Sequence, residues 1–315
     1  MYERALVTGG AGFIGSHLAR TLLKEAMEVV IIDNLSVGKI ENVADGAKFI
    51  HGDVRCQDDI LKALKGVDII FHEAARVSIR SSVDGFYDDA ENNLIGTVNL
   101  LRCCLNSTVK KIVFASSMAV YADCSAPEPI AEDYKTEPIS PYGVSKLASE
   151  KYCLQFSEYT NIDCHVLRYF NTYGTGQAFT PYVGVITIFI NNLLDRKAPV
   201  IFGDGEQQRD FTHVSDIVSA NILSMKSTIP LGIFNVGTGV KISVNYIAKL
   251  LCDRIDPKIQ PVYSDAQPGE LRYSVADINR AQNDLGYCPK VKLSNKINEI
   301  IKYYKELKTS EISTT

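Results

Sequence analysis

A chain of 315 residues with 46% hydrophobic and 22% charged residues can bury a large core and has the balance of a globular protein. Its net charge of −4 and pI near 5.8 argue against a nucleic-acid or acidic-membrane surface as its main business. Met1-Tyr-Glu-Arg runs straight into a strand-like segment and no apolar run is bilayer-length, so the expectation is no signal peptide, no membrane span and a cytoplasmic location. Eight cysteines show no C-x-x-C or zinc-like spacing and five histidines form no ligand cluster. Mostly buried thiols and no metal site are expected.

Arg4-Ala-Leu-Val-Thr8 is β-rich, and Gly9-Gly-Ala-Gly12-Phe13-Ile14-Gly15 follows it, leading into helical periodicity from Ser16 to Glu25. Strand, glycine turn and helix in this order let the backbone approach a pyrophosphate at a helix N-terminus, where unsatisfied N–H groups favour anions. The next strand, Glu28 to Asp33, ends in an acid at about the spacing of a dinucleotide-binding unit. Asp33 would accept both ribose hydroxyls of an adenosine and repel a 2′-phosphate, which favours NAD over NADP.

The alternation continues through strands at 47–51, 68–72 and 111–115 and helices near 57–65 and 88–107. Repeated β–α units with apolar strands predict a parallel sheet covered on both faces, with ligands at the strands' carboxyl ends. Asp53-Val54, Ala74-Ala75, Asn93 and Ser116-Ser117 fall there, and Asp53 would either form a turn or, with Asp33, bracket an adenine. A Pro- and acid-rich loop, 124–138, then leads into Ser140-Pro-Tyr142-Gly-Val-Ser-Lys146. Ser140 suits an N-cap and Pro141 the first helical position. Tyr142 and Lys146, four apart, share a helix face. A tyrosine titrates near ~10, so a base at neutrality needs its phenolate favoured by roughly 3 units, about 4 kcal/mol, and a neighbouring cation has the right sign.

Strand 162–171 follows, and beyond it the pattern changes. The segment 172–183 reads as a loop, 185–194 as a helix, and 200–205 with 208–213 as strand–turn–strand. Helices are expected at 214–226, 243–254 and 293–307, strands at 233–236 and 261–263, and a frayed polar tail from Lys308. The partition expected is 1–172 with 213–236 as a dinucleotide-binding domain, 173–212 with 237–308 as a smaller substrate lobe, and 309–315 as tail.

Taken in order, the glycine triplet, Asp33, Ser116-Ser117, Tyr142/Lys146 and Arg168-Tyr169-Phe-Asn171 resemble the extended short-chain dehydrogenase/reductase family. More narrowly, they resemble its NAD-dependent sugar-nucleotide epimerases of the UDP-glucose 4-epimerase type. The likeness runs from about residue 3 to residue 307. It implies an α/β fold, a Rossmann-type doubly wound parallel sheet with a smaller α/β substrate-binding lobe. It implies NAD contacts from Gly9, Gly12, Phe13, Ile14, Gly15, Asp33, Asn34, Ser36, Gly38, Asp53, Val54, Ala74, Ala75, Arg76, Asn93, Ser116, Tyr142, Lys146 and Tyr169.

In that resemblance Ser117 hydrogen-bonds the sugar hydroxyl and the tyrosine, and Tyr142 takes the carbon-4 hydroxyl proton while NAD takes the hydride. Lys146 binds the nicotinamide ribose and lowers the tyrosine's pKa, and a 4-keto sugar turns within the site before hydride returns. A UDP-hexose would be held by Ser78, Ser117, Tyr142, Asn171, Gly184, Val185 and Ser274, with Arg209 and Arg272 as pyrophosphate contacts. Gln267 stands where relatives often carry Arg, with Arg272 as compensation. Met118 and Ala119 stand where related dehydratases and decarboxylases need acids, which favours epimerisation. Ser274 replaces a bulky residue that in some relatives excludes N-acetylated sugars, so UDP-GlcNAc and UDP-GalNAc are expected substrates beside UDP-glucose and UDP-galactose.

The resemblance also implies a homodimer through the helix near 88–107 and the Tyr142 helix, with Leu94, Val98, Leu101 and Leu105 as an apolar stripe. Two other readings share the fold. One is a net NAD-dependent dehydrogenase or reductase acting on a nucleotide sugar. The other is a dinucleotide sensor, which has no need of Ser117, Tyr142 and Lys146 together.

Overall fold

A computed structural model describes residues 2–77, 79–124, 127–179, 184–266 and 271–313. The apolar runs of the first half form strands β1 (Arg4–Thr8), β2 (Glu28–Asp33), β3 (Lys48–His51), β4 (Ile69–His72), β5 (Lys111–Ser117) and β6 (Asp163–Tyr169). Between them lie helices α1 (Phe13–Lys24), α2 (Gln57–Ala63), α3 (Ile79–Asp84), α4 (Phe86–Asp89), α5 (Gly96–Cys104) and α6 (Pro141–Tyr159). The second half supplies β7 (Thr172–Tyr173), α7 (Val185–Leu194), β8 (Val200–Phe202), β9 (Gln208–Arg209), β10 (Thr212–His213), α8 (Val214–Lys226) and β11 (Leu231–Val236). It closes with β12 (Ile242–Ser243), α9 (Val244–Ile255), β13 (Val262–Ser264), β14 (Tyr273–Ser274), α10 (Asn279–Leu285) and α11 (Leu293–Ser313).

Seven strands pair in parallel in the order β11-β6-β5-β4-β1-β2-β3. The chain winds outward in both directions from β1, so a crevice opens between the carboxyl ends of β1 and β4. Alternate side chains feed two cores: Val7, Ile31 and Phe71 pack with Leu18, Leu22 and Ile217 on one face. Leu6, Ile32, Ile70 and Phe114 pack with Ile60, Leu100 and Leu101 on the other. Both faces are covered, which is why these strands read as nearly unbroken apolar runs. A third core joins α7, α9 and α11 through Ile190, Ile247, Leu251, Ile297 and Tyr304.

Several expectations are corrected. The helix expected near 88–107 is α4, a π-helical stretch (Ala90–Ile95) and α5 in succession. Side chains hold the widened turn: the Asn93 carbonyl accepts hydrogen bonds from Thr97 Oγ1 (2.6 Å) and Ser149 Oγ (3.0 Å). Its apolar stripe is split, with Leu101 in the sheet core, Leu94 and Val98 half-buried and Leu105 exposed. The strand–turn–strand at 200–213 is not a hairpin. Strand β8 pairs with β13, β9 lies between β12 and β14, and β10 pairs with β7. Gly203 and Gly205, both at positive φ, turn the chain as read, but such short strands take their partners from far along the chain.

The tail does not fray at Lys308: α11 continues to Ser313, and Lys308 Nζ donates to the Asn191 carbonyl at 3.2 Å. The loop at 124–138 is tied to the lobe, where Ile130 N donates to Val275 O at 2.8 Å. Six cysteines are buried, with Cys56 and Cys288 exposed. Among the described residues no helix is long and apolar enough to cross a membrane, and no group of three or more His, Cys, Asp or Glu is placed to hold a metal.

Candidate active site

Helix α6 begins as its sequence dictates. Ser140 Oγ accepts a hydrogen bond from Gly143 N at 3.1 Å and Pro141 occupies the first turn. Gly143 sets how close the helix comes: a Cβ there would lie 2.2 Å from the Ala119 carbonyl oxygen. The helix start therefore rests on the turn that follows β5, and that contact brings Tyr142 beside Ser117, whose side chain acts to lower the phenol's pKa. Tyr142 and Lys146 are 4% and 2% exposed, so both are built into the edge of the sheet rather than standing on a surface helix. Lys146 Nζ donates to the Ala115 carbonyl at 2.8 Å and sits 6.0 Å from the centre of the Tyr142 ring.

Burial governs the ionisation of this pair. It pushes the Tyr142 phenol well up, with the Ser117 hydrogen bond opposing. It pulls the Lys146 ammonium down to about 8 against the attraction of Glu73 and Asp89. Ser117 is the contact that acts to lower the phenol here, while the Lys146 ammonium is directed at the Ala115 carbonyl.

The glycine turn fits a pyrophosphate. Gly9 has φ +68°, and a Cβ there would meet Ala74 backbone at 2.8 Å; one at Gly15 would meet the Gly9 carbonyl at 2.3 Å. Backbone is packed on backbone, a cradle that side chains would fill. Helix α1 follows Gly12 with no side-chain cap and no acid in its first turn, and Phe13 and Ile14 are half-buried at its start. Both properties suit an anion.

Asp33 braces this turn, its Oδ2 accepting from Ala11 N (3.0 Å) and its Oδ1 from Leu35 N (2.8 Å). Gly38 packs against Ala11 and Asp33, where a Cβ would come within about 3 Å of both. Asn34 joins Ser36 N (3.0 Å) to Asp53 Oδ2 (2.9 Å). The Arg55 guanidinium holds Asp53 down at about 2, so the acid expected to bracket an adenine carries its own cation.

On β4's side Ala74 N donates to Thr8 Oγ1 at 3.1 Å, and Asn93 pins Arg76 through both its backbone N–H (2.9 Å) and carbonyl (3.0 Å). Ala75 is half-buried beside them, and Val54 packs on Gly96. Ser116 departs from expectation: its buried hydroxyl donates to Glu150 Oε1 at 2.5 Å, so only its backbone is left for the crevice. Glu150 in turn forms a bidentate pair with the buried Arg168 guanidinium, at 2.9 and 2.7 Å. The motif's arginine braces α6 against β6.

The lobe side is looser. Asn171 Nδ2 donates to Asp210 O at 3.2 Å, and Gly184 precedes α7 where a Cβ would meet nothing within 4 Å among the described residues, so Val185 opens a helix with an uncrowded start. Arg209 is half-buried on β9, its Nη1 donating to Gln208 O at 2.9 Å. Arg272, expected at a phosphate, is an exposed bidentate partner of Asp204 at 2.6 and 2.9 Å. Ser274 lies opposite Arg209 in register, fully buried, its hydroxyl with no hydrogen-bond partner among the described residues. Ser78 and Gln267 fall outside the described residues.

Two acids were not singled out in the sequence. Glu73, in His-Glu-Ala-Ala at the end of β4, accepts from Tyr169 OH at 2.8 Å. Asp210 gathers Thr238 N (2.8 Å), Gly239 N (2.9 Å) and Ala276 N (3.2 Å), fixing the strand that carries Arg209. An acid at the carboxyl end of a parallel strand was the available signal for the first.

The family model described as the NAD dependent epimerase/dehydratase family matches residues 5–237. The chain belongs to this family. It is 37% identical to a putative UDP-glucose 4-epimerase from Methanocaldococcus jannaschii, over 95% of this chain and 98% of that one. Among solved structures, UDP-glucose 4-epimerase from Thermotoga maritima with UDP-glucose superposes with a TM-score of 0.92 at 35% identity, over 96% of this chain and 99% of that one. A UDP-N-acetylglucosamine 4-epimerase from Methanobrevibacter ruminantium, in complex with UDP-N-acetylmuramic acid, does so with 0.91 at 36%, over 97% and 99%. The Rossmann-type epimerase fold expected from the sequence is the fold these relatives share.

Proposed function

We propose that this enzyme interconverts the carbon-4 epimers of a UDP-hexose with tightly held NAD. The observation that carries the reading is the buried Tyr142 phenol, beside Ser117 and one helical turn from Lys146, at the edge onto which the glycine turn opens. The dinucleotide would rest on Gly9, Gly12, Phe13, Ile14 and Gly15, with Asp33, Asn34, Ser36, Gly38, Asp53 and Val54 toward its adenosine. Ala74, Ala75, Arg76, Asn93, Lys146, Tyr169 and the Ser116 backbone would lie toward its nicotinamide. When bound, NAD supplies a hydride acceptor that returns the hydride within the same turnover.

The chain's own residues handle the proton. Ser117 aligns the sugar's 4-hydroxyl with the phenol, and Tyr142 takes its proton on one face and returns it on the other. Because burial holds the phenol high, its ionised form needs the Ser117 contact and neighbouring positive charge to favour it. No carboxyl follows Ser117, since Met118 and Ala119 are both apolar and buried, so carbon skeleton and oxygen count are retained.

Asn171, Gly184, Val185 and Arg209 would hold the UDP moiety. Arg272 would join them by leaving Asp204, an exposed pair of little net worth. The unpartnered Ser274 hydroxyl supports acceptance of N-acetylated sugars, since an acetamido group offers it both a donor and an acceptor. The exposed Ile95, Leu105, Val144 and Tyr152 support a homodimer in which a second copy covers α5 and α6, and light scattering at micromolar concentration should give twice the chain mass.

Proton NMR of purified protein with UDP-galactose, and separately with UDP-N-acetylgalactosamine, tests the reading with no NAD added. Appearance of the gluco epimer without accumulating NADH is expected. Turnover only with added NAD, and with NADH building up, would mean a net dehydrogenase instead.

A further inference from the structure

The acid at the end of β4 has no part in the proton transfer, yet it lies inside the same site. Strand β5 separates β4 from β6, and neighbouring strands stand about 4.8 Å apart, so the Glu73–Tyr169 hydrogen bond bridges about 10 Å over the end of β5. That is the end from which Ser117 leaves the sheet. Asn221 of α8 completes the bridge, its Nδ2 donating to Tyr169 OH at 2.7 Å and to its own helix at Ile217 O at 3.0 Å. His72, the preceding residue, faces the other side of the sheet, bonded to Thr8 and Thr97. Alternation therefore fixes Glu73 on the α1/α8 side, beneath the crevice.

A neutral glutamine could accept the same hydrogen bond from Tyr169, so the bond alone does not call for a carboxylate. The charge is what distinguishes Glu73. Its titratable and charged neighbours are Tyr169 on β6 and Lys146 and Tyr142 on α6, and each of them feels it. Burial pushes the Glu73 carboxyl up to about 7, with Tyr169 and Lys146 opposing, so this group gains and loses its charge around neutrality.

We propose that Glu73 is a charge-setting and positioning residue: through Tyr169 it fixes the wall of the nicotinamide pocket, and its carboxylate biases the bound dinucleotide toward the oxidised form. The inference rests on the NAD reading above. The oxidised nicotinamide ring carries a positive charge and the reduced ring none, so a nearby anion favours the first over the second. Such a bias suits an enzyme that recycles its cofactor, because only the oxidised form can start a new turnover.

The test is binding, not turnover. Cofactor-depleted wild-type protein and Glu73→Gln are titrated with NAD and with NADH at about pH 8 and about pH 5.5, on either side of the Glu73 titration. At the higher pH the preference for NAD over NADH should fall about tenfold in Glu73→Gln, and at the lower pH the two proteins should agree within about twofold. Equal preference at the higher pH, or the same difference at both, would overturn the proposal.

If Glu73→Gln does not fold, the wild type still decides. Its preference for NAD must rise between about pH 5.5 and about pH 7.5, ahead of any change from Lys146, and a flat ratio over that interval rejects Glu73 as the charge. Failure of the underlying reading looks different, since neither nucleotide would then bind.

Discussion

The two sides of the crevice are built by different means. On the chemical side, Ser117, Tyr142 and Lys146 come from a seven-residue strand and a 19-residue helix, and both Tyr142 and Lys146 are buried. On the recognition side, Arg209 and Ser274 come from two-residue strands, and Arg272 is exposed and already paired with Asp204. Long elements hold groups to within a fraction of an ångström at the cost of desolvating them, whereas short strands let a charged group change partners. The contrast separates substitutions that remove chemistry from those that loosen binding.

The largest effect expected is from Tyr142→Phe. If Tyr142 is the base, losing its hydroxyl should lower kcat by about 10³-fold, roughly 4 kcal/mol, with NAD retained in the purified protein. Spectrophotometric turnover alongside release of cofactor on denaturation checks both halves. Retained activity would remove Tyr142 as the base.

A matched pair of glycines sharpens the comparison next. Gly143→Ala drives a methyl to 2.2 Å from the Ala119 carbonyl, so either α6 or the turn after β5 must move. A loss of about 1–3 kcal/mol in urea unfolding is expected, together with a fall in kcat as Tyr142 and Ser117 part. Gly184→Ala meets nothing within 4 Å and has ordinary backbone angles, so stability should change by less than about 0.5 kcal/mol. Equal losses at the two positions would erase the distinction between a packed and an open side.

Burial on the chemical side also has a pH signature. The Glu73 carboxyl is raised in the fold, so the native state binds more protons than the unfolded chain between about 4.5 and about 7, and stability falls as pH rises through that window. Glu73→Gln removes that slope and should be the more stable protein near pH 8. Full burial would make the gain about 3 kcal/mol; because the residue is half-buried by surface area, about 1 kcal/mol is the expected difference in unfolding free energy. A variant less stable than wild type at that pH would show the carboxylate to be a net stabiliser.

What could be read from the sequence followed the same division. The sheet was legible because each doubly covered strand is a continuous apolar run, and α6 because Ser140-Pro141 and the four-residue Tyr/Lys spacing are local signals. The partners of β9 and β10 were not, since two-residue strands leave no periodicity and pair across dozens of residues. The π-helical stretch was invisible because the side chains of Thr97 and Ser149, bonded to the Asn93 backbone carbonyl, stabilise it rather than any composition. Ser116 was assigned to the crevice by its place in the motif, but which way a hydroxyl turns depends on Glu150, 34 residues on. Glu73 was passed over because its meaning lies in Tyr169, 96 residues away.

The smallest effect expected is from Arg272→Ala, and it bears most directly on the recognition side. The exposed pair with Asp204 is screened by solvent and adds little to stability, so unfolding should barely change. If Arg272 leaves Asp204 for the substrate's pyrophosphate, the alanine variant should raise KM several-fold at constant kcat, by about 1 kcal/mol in transition-state binding, since the contact is equally present before and during the reaction. Asp204→Asn then sharpens the test. Releasing the guanidinium from its carboxylate in advance should lower KM slightly, because the arginine no longer has to break an ion pair to meet the phosphate. If neither KM moves, the Arg272–Asp204 pair is a fixed clasp between β8 and β14, and Arg209 alone answers the phosphate charge.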